Sequence, residues 1–157
     1  MGHALAGGRE LSRMAQRVLV PLDDSEMARH AFEFATEQFA GADLTLIRVI
    51  DPVTASYDAP IDSPMPGFWE GWYEEAREAA GAALEDAAAE ASEAGCEVET
   101  KVVVGRPARE ITDELESGEY DHVVMGSHGR SGVSRILLGS VAETVLRRSP
   151  VPVTVVR

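Results

Sequence analysis

The chain has 157 residues, of which 45% are hydrophobic, and this suits one domain with a substantial core and argues against global disorder. Its 14 basic residues stand against 27 acidic ones, for a formal net charge of −13. Such a surface repels nucleic acids and anionic membranes, so we expect neither as a partner. No apolar run approaches the roughly 18 residues that span a bilayer.

The basic residues are almost all arginine, and Lys101 is the one lysine. A high-salt cytoplasm favours an acidic, lysine-poor surface, because salt screens the repulsion between like charges. Codon bias toward arginine is an alternative explanation for the shortage of lysine. Residues 1–15 lack the continuous apolar stretch of a signal peptide. We therefore expect a loose N-terminal extension over 1–15, one domain over 16–157, and a cytoplasmic protein. The single Cys96 cannot form an internal disulfide and is interpreted as a structural thiol.

Taken in chain order, the hydrophobic pattern alternates between strands and helices. The predicted strands are Arg17–Leu22, Leu44–Ile50, Val98–Val104, Tyr120–Met125 and Val151–Val156. Helical spacing runs from Ala28 to Phe39, from Phe68 to Ala94, onward from Pro107, and from Val141 to Arg148. Four prolines between Asp51 and Gly67 predict a long surface loop there.

This alternation predicts an α/β fold, with a parallel sheet covered by helices on both faces. In such sheets ligands bind beyond the carboxyl ends of the strands, at the point where the strand order reverses. Three strand ends are therefore of interest together: Pro21 to Asp23, Val49 to Asp51, and Met125 to Gly129.

A glycine-rich connection follows the fourth predicted strand. Gly126 and Gly129 open it, and Gly139-Ser140 closes it directly before an amphipathic helix. Glycines let a ligand approach the main-chain amides, and the helix start adds unpaired N–H groups, so the loop is suited to phosphate. It has neither the lysine of a P-loop nor the spacing of the dinucleotide fingerprint. Arg130 and Arg135 could offset phosphate charge; the alternative is a flexible surface loop with solvated arginines.

Other single residues leave alternatives open. Asp23 can accept hydrogen bonds from a ribose or an adenine amino group, or it can cap the first helix, as Asp24 or Ser25 could. Val49 can form an apolar wall of the site, or it can belong to the hydrophobic core. For His128, a contact with the ribose or a role in positioning the backbone is a better interpretation than a catalytic role. No histidine or cysteine spacing predicts a metal site.

Taken together, the pattern Gly126-x-x-Gly129-(nine residues)-Gly139-Ser140, the early Val-Pro-Leu-Asp-Asp-Ser and the late Ser-Pro-Val-Pro-Val resemble the universal stress protein family, over residues 16–157. The glycine–serine pattern is that of its ATP-binding members. The resemblance implies a three-layer α/β sandwich with a five-stranded parallel sheet in the order 3-2-1-4-5, the adenine nucleotide alpha hydrolase-like fold.

The resemblance also implies a site and partners. The nucleotide-binding residues carried over are Pro21, Asp23, Val49, Gly126, Ser127, His128, Gly129, Arg130, Ser131, Gly132, Gly139, Ser140 and Val141. Gly139, Ser140 and Val141 are expected to donate to the phosphates of ATP, with Mg²⁺ or Mn²⁺ bridging them. A homodimer is expected through Val151–Val156, where Pro150 and Pro152 would confine pairing to the later residues.

The function predicted is that of an ATP-binding regulatory protein of the stress response. The rival is a slow ATPase or phosphotransferase on the same scaffold, which would need a positioned base and charge stabilisation at the γ-phosphate. The loop supplies arginines and hydroxyls, and Asp23 is the nearest carboxylate, so no catalytic residue is assigned. A nucleotide-free interaction module is a third alternative.

Overall fold

The computed structural model describes residues 15–54, 68–128 and 137–157. Its strands are β1 (Arg17–Pro21), β2 (Asp43–Ile50), β3 (Glu97–Val104), β4 (His122–Gly126) and β5 (Val153–Val156). The helices that cover them are α1 (Glu26–Gln38), α2 (Phe68–Glu93), α3 (Pro107–Ser117) and α4 (Ser140–Arg148). Strands and helices alternate along the chain, as the sequence predicts.

The five strands form one parallel sheet in the order β3-β2-β1-β4-β5. This confirms the predicted order. β1 lies at the centre, with β2 on one side and β4 on the other, so the strand order reverses there. The crevice expected at such a reversal lies beyond the ends of these three strands.

Alternation along the strands divides the core between the two faces of the sheet, because successive side chains point to opposite sides. Val20 and Leu46 pack with Phe32 of α1 and Leu84 of α2 on one face. Leu19 and Ile47 pack with residues of α3 and α4 on the other. The molecule is therefore a three-layer sandwich.

Helix starts follow local sequence chemistry. The Ser25 hydroxyl caps α1 by accepting a hydrogen bond from the Ala28 amide at 3.1 Å. Pro107 occupies the first turn of α3, where its missing N–H costs nothing. After α2, Gly95 takes a φ of +89°, a left-handed conformation that glycine adopts without strain.

Helix α2 is 26 residues long and buries a stripe of small and apolar side chains that includes Ala80, Leu84 and Ala91. Its outer face carries glutamates, as the sequence pattern indicates. Across the described part of the chain, no helix is both long enough and apolar enough to cross a membrane.

Several predicted element boundaries differ from the structure by one or two residues. β4 begins at His122; Tyr120 is buried in the segment before the strand, where its hydroxyl donates a hydrogen bond to Glu114. β5 begins at Val153, because Pro152 has no N–H to donate to the ladder. Helix α4 begins at Ser140, one residue before the predicted Val141.

Candidate functional site

A cavity of about 150 Å³ lies at the carboxyl ends of β1, β2 and β4, next to α3 and α4. It occupies the predicted crevice at the reversal of strand order. Its lining is Pro21, Leu22, Asp23, Ser25, Ala28, Ile47, Val49, Pro107, Ile111, Met125, Gly126, His128 and Val141.

The structure brings many of the predicted site residues to this cavity. Those that line it are Pro21, Asp23, Val49, Gly126, His128 and Val141. Ser127, Gly139 and Ser140 lie beside them, at the end of β4 and the start of α4. Gly129, Arg130, Ser131 and Gly132 fall outside the described residues, so their predicted roles remain predictions.

One side of the cavity is apolar. Ile47, Ile111 and Met125 are each less than 5% exposed, and Val49 is half-buried beside them. Pro107 was expected only as part of a helix, and neither Pro107 nor Ile111 was predicted to line the cavity. The available signal was their spacing: four residues apart, they share one face of α3, and the crossover from β3 brings that face over the sheet.

Asp23 supplies a carboxylate at the mouth of the cavity. Its Oδ1 accepts a hydrogen bond from the Ser25 amide at 2.8 Å, which shapes the turn between β1 and α1. Ser25, and not Asp23, caps the helix. Within the described residues this turn uses only one carboxylate oxygen of Asp23, which leaves the other for a ligand.

The neighbouring carboxylate, Asp24, is held away from the cavity lining. Its two oxygens accept hydrogen bonds from the Arg48 guanidinium at 2.8 and 2.7 Å. These hydrogen bonds raise the pKa of Arg48 against the opposing effect of its partial burial. The bidentate pair ties the β1–α1 turn to β2, next to Val49, and so fixes where Asp23 stands.

Gly126 is required by the packing of β4 against α1. A Cβ on this residue would lie 2.8 Å from the carbonyl carbon of Met27 and 2.9 Å from the Ala28 nitrogen. Both are backbone atoms, which cannot swing aside. The glycine therefore lets the first turn of α1 close over the end of β4, and this places Asp23 and His128 at the same opening.

Three hydrogen bonds fix Ser127 at the start of the glycine-rich connection, and one of them joins the two ends of that connection. The Ser127 amide donates to Val156 at 2.8 Å, and the Ser127 carbonyl accepts from the Gly139 amide at 2.7 Å. The Ser127 hydroxyl lies 2.9 Å from Nδ1 of His128. The resemblance implied that the Gly139 amide donates to a phosphate, whereas in this structure that amide is used within the protein.

The start of α4 still offers donors. Its N-cap residue is Gly139, which has no side chain that could cap the helix. The first intrahelical hydrogen bond runs from the Glu143 amide to the Gly139 carbonyl. The amides of Ser140 and Val141 therefore have no acceptor within the helix. Together with the positive end of the helix dipole, they favour an anion beside the cavity.

The structure gives no protein-built metal centre in the ranges it describes, since no three histidine, cysteine, aspartate or glutamate residues there are grouped to hold one. His122 lies at the start of β4, at the opposite end of the strand from the cavity. It hydrogen-bonds Thr154 at 2.7 Å, and burial lowers its pKa.

Comparison with known proteins gives one consistent family. The model of the universal stress protein family matches residues 14–157. Universal stress protein MJ0531 of Methanocaldococcus jannaschii is 34% identical over 95% of this chain and 86% of its own length. Universal stress protein MJ0577 of the same organism is 30% identical over 94% of this chain and 98% of its own.

Solved structures agree. The structure of MJ0577 superposes with a TM-score of 0.76 at 31% identity, over 91% of this chain and 96% of the other. A universal stress protein in complex with cAMP superposes with a TM-score of 0.62 at 27% identity, over 91% and 97% of the two chains. The family model spans nearly the whole chain, and the full-length relatives share its fold and strand order. The chain belongs to the universal stress protein family.

Proposed function

We propose that this protein binds an adenine nucleotide, ATP in the first instance, in the cavity beyond β1, β2 and β4. The observation that carries the proposal is the placement of three different surfaces at one opening. An apolar slot, a carboxylate with a spare oxygen and the amino end of a helix meet there. These match a base, a ribose and a phosphate chain in that order.

The slot suits the base. Its walls are Ile47 and Val49 from the sheet and Pro107 and Ile111 from α3. The volume of about 150 Å³ is smaller than the roughly 300–1,000 Å³ of pockets that enclose whole drug-sized ligands. It therefore encloses the base, while the rest of the nucleotide extends toward α4.

The polar groups suit the remainder of the ligand. Asp23 accepts hydrogen bonds from the ribose hydroxyls or the adenine amino group through its available oxygen. The amides of Ser140 and Val141 donate to phosphate oxygens, and Gly129 to Gly132 complete the phosphate site. Mg²⁺ or Mn²⁺ would neutralise phosphate charge at this site; the described residues include no group of three histidine, cysteine, aspartate or glutamate side chains that could hold the ion.

A relative supports the ligand class. The universal stress protein crystallised with cAMP is 27% identical to this chain over most of both lengths, and cAMP is an adenine nucleotide. We propose that nucleotide occupancy serves regulation in a stress response. Slow phosphoryl transfer is the second candidate, and what favours it is that the His128 imidazole lines the same cavity.

The proposed assembly is a homodimer through β5. This strand is the edge of the sheet beyond β4, and all four of its residues are only half-buried. Leu146 on the neighbouring helix is 47% exposed. A second copy would pair the free edge and cover this apolar surface.

Calorimetric titration of ATP with Mg²⁺ into the purified protein tests nucleotide binding. Val49→Arg places a long, charged side chain in the slot and should abolish binding. Val53→Arg, three residues beyond the end of β2 and 53% exposed, is the matched control and should bind as the wild type does. Absence of binding to the wild type, or equal binding by Val49→Arg with native circular dichroism, would contradict the proposal.

A further inference from the structure

Ser127 links several parts of the site through its hydrogen bonds, although its side chain does not line the cavity. Only 2% of the residue is exposed. Its amide is bound to Val156, its carbonyl to Gly139 and its hydroxyl to His128. Every polar group of Ser127 is thus satisfied inside the protein, so a ligand has no free group of Ser127 to bind.

The Ser127 hydroxyl lies 2.9 Å from Nδ1 of His128, and this contact decides which ring nitrogen carries the proton. A buried hydroxyl that fails to donate leaves its hydrogen unsatisfied, which costs more than an unused lone pair on its oxygen. Among the described residues, the hydrogen-bond partner of this hydroxyl is His128 Nδ1. The hydroxyl therefore donates to Nδ1, and the neutral ring carries its proton on Nε2.

The backbone of His128 is positioned by its close contact with Gly139. Gly139 packs directly against it, so closely that a Cβ on Gly139 would lie 3.1 Å from Cα of His128 and 3.2 Å from its Cβ. The hydrogen bond between Gly139 and Ser127 keeps that contact in place. With Nδ1 occupied, the ring nitrogen left for the cavity that His128 lines is Nε2.

We propose that Ser127 is a positioning residue that holds His128 as its Nε2–H tautomer, so that Nε2–H donates to an acceptor oxygen of the bound ligand. The site then selects ligands that carry a phosphate or ribose oxygen at this position. The ligand contact rests on the proposed nucleotide binding. The tautomer does not, and it can be tested separately.

Nitrogen-15 NMR of the ligand-free protein tests the tautomer. At a pH of about 8.5, where histidine side chains are neutral, long-range ¹H–¹⁵N spectra distinguish the two ring nitrogens. The His128 signals, assigned by their loss in His128→Asn, should show a protonated Nε2 and an unprotonated Nδ1. Ser127→Ala should convert them to a mixture of tautomers. A protonated Nδ1 in the wild type, or no change in Ser127→Ala, would overturn the inference.

Thr154→Val provides a matched control, because it removes the hydroxyl that hydrogen-bonds a second half-buried histidine, His122, at 2.7 Å. It should change the His122 signals and leave those of His128 untouched. A change at His128 of the size seen in Ser127→Ala would mean that the effect is a general loosening of the fold.

Nucleotide affinity tests the contact with the ligand. Glutamine can place an amide N–H where Nε2–H of histidine stands, whereas asparagine can replace only Nδ1. His128→Asn should weaken ATP binding about tenfold or more, the usual value of a hydrogen bond to a charged acceptor, and His128→Gln should recover most of the loss. Equal affinities of wild type and His128→Asn would overturn the ligand contact.

Adenosine as a second probe locates the acceptor. Equal losses for ATP and adenosine in His128→Asn place the acceptor on the ribose, and a loss confined to ATP places it on a phosphate; both support the inference. If the wild type binds neither probe, the proposed function fails, and the NMR result still decides the role of Ser127.

Discussion

The amide of Gly139 donates to the carbonyl of Ser127 at 2.7 Å, and this hydrogen bond ties the start of α4 to the end of β4. Both ends of the glycine-rich connection are therefore fixed relative to the sheet without a ligand. A site built in this way requires less ordering when a ligand binds, and this lowers the entropic cost of binding.

Gly139→Ala should weaken nucleotide binding with a small loss of stability. The φ of Gly139 is −65°, which any residue adopts, so the effect is purely steric. The new Cβ would lie 3.1 Å from Cα of His128, and relieving that contact displaces the hydrogen-bonded pair. We expect a loss of roughly 1 kcal/mol in the free energy of unfolding, measured by urea denaturation, and a larger loss in binding free energy. Affinity equal to the wild type would show that the contact does not position the site.

Gly126→Ala should lower stability more than Gly139→Ala. Its Cβ would meet backbone atoms of Met27 and Ala28 at 2.8 and 2.9 Å. We expect a cost of about 1–3 kcal/mol, seen as a lower melting temperature. Gly81→Ala is the matched control: it lies inside α2 with open space around it, and it should stabilise the protein by about 0.5–1 kcal/mol. A stable Gly126→Ala variant would refute the close packing of β4 on α1.

Two substitutions of Asp23 separate its two roles. Asp23→Asn retains an oxygen for the Ser25 amide but removes the charge, whereas Asp23→Ala removes both. Asp23→Asn should therefore keep the melting temperature and lose affinity for adenosine, and Asp23→Ala should lose both. The affinity loss should be about tenfold or more for each. If free triphosphate loses as much affinity as adenosine, Asp23 does not contact the nucleoside.

The dependence of stability on pH can be traced to Glu114. Burial opposes its ionisation, but hydrogen bonds from Lys101 and Tyr120, each 2.6 Å, outweigh this and lower its pKa. A carboxyl group whose pKa is lower in the folded state stabilises the protein above its unfolded pKa, and that contribution is lost as the pH falls through the folded value.

Glu114→Gln should therefore be less stable than the wild type at pH 7, by about 1–3 kcal/mol, and the difference should shrink as the pH falls below about 4. Urea denaturation across this range measures it. Glu119→Gln, at an ion pair whose glutamate side chain is 94% exposed, is the control and should show little effect at any pH. A difference for Glu114→Gln that is independent of pH would contradict the assignment.

The proposed dimer depends on the outer edge of β5. The Pro152 carbonyl accepts from Val123 of β4, and the Val156 carbonyl accepts from Ser127, directly after β4. Alternate residues of β5 therefore face β4, and the backbone N–H of Val155 faces the free edge. Val155→Pro removes that outward donor and leaves the ladder to β4 intact. By light scattering the wild type should be a dimer and Val155→Pro a monomer, while Val155→Thr should remain a dimer. A monomeric wild type would refute the proposed interface.

Much of the fold could be predicted from the sequence because its signals are local or periodic. The alternation of strands and helices and the start of α3 at Pro107 are confirmed, as is the strand order, which the family resemblance implied. Boundaries set by tertiary contacts were missed, as at Tyr120, which is buried like a strand residue although it precedes β4. The internal use of the Gly139 amide depends on which elements meet in space, and hydrophobic spacing does not encode this.

The most direct test of nucleotide binding is a crystal structure of the protein grown with saturating ATP and Mg²⁺. The account predicts density for a base between Val49 and Ile111, a ribose beside Asp23 and phosphates at the amides of Ser140 and Val141. Density for water alone at the ends of β1 and β4 would contradict it.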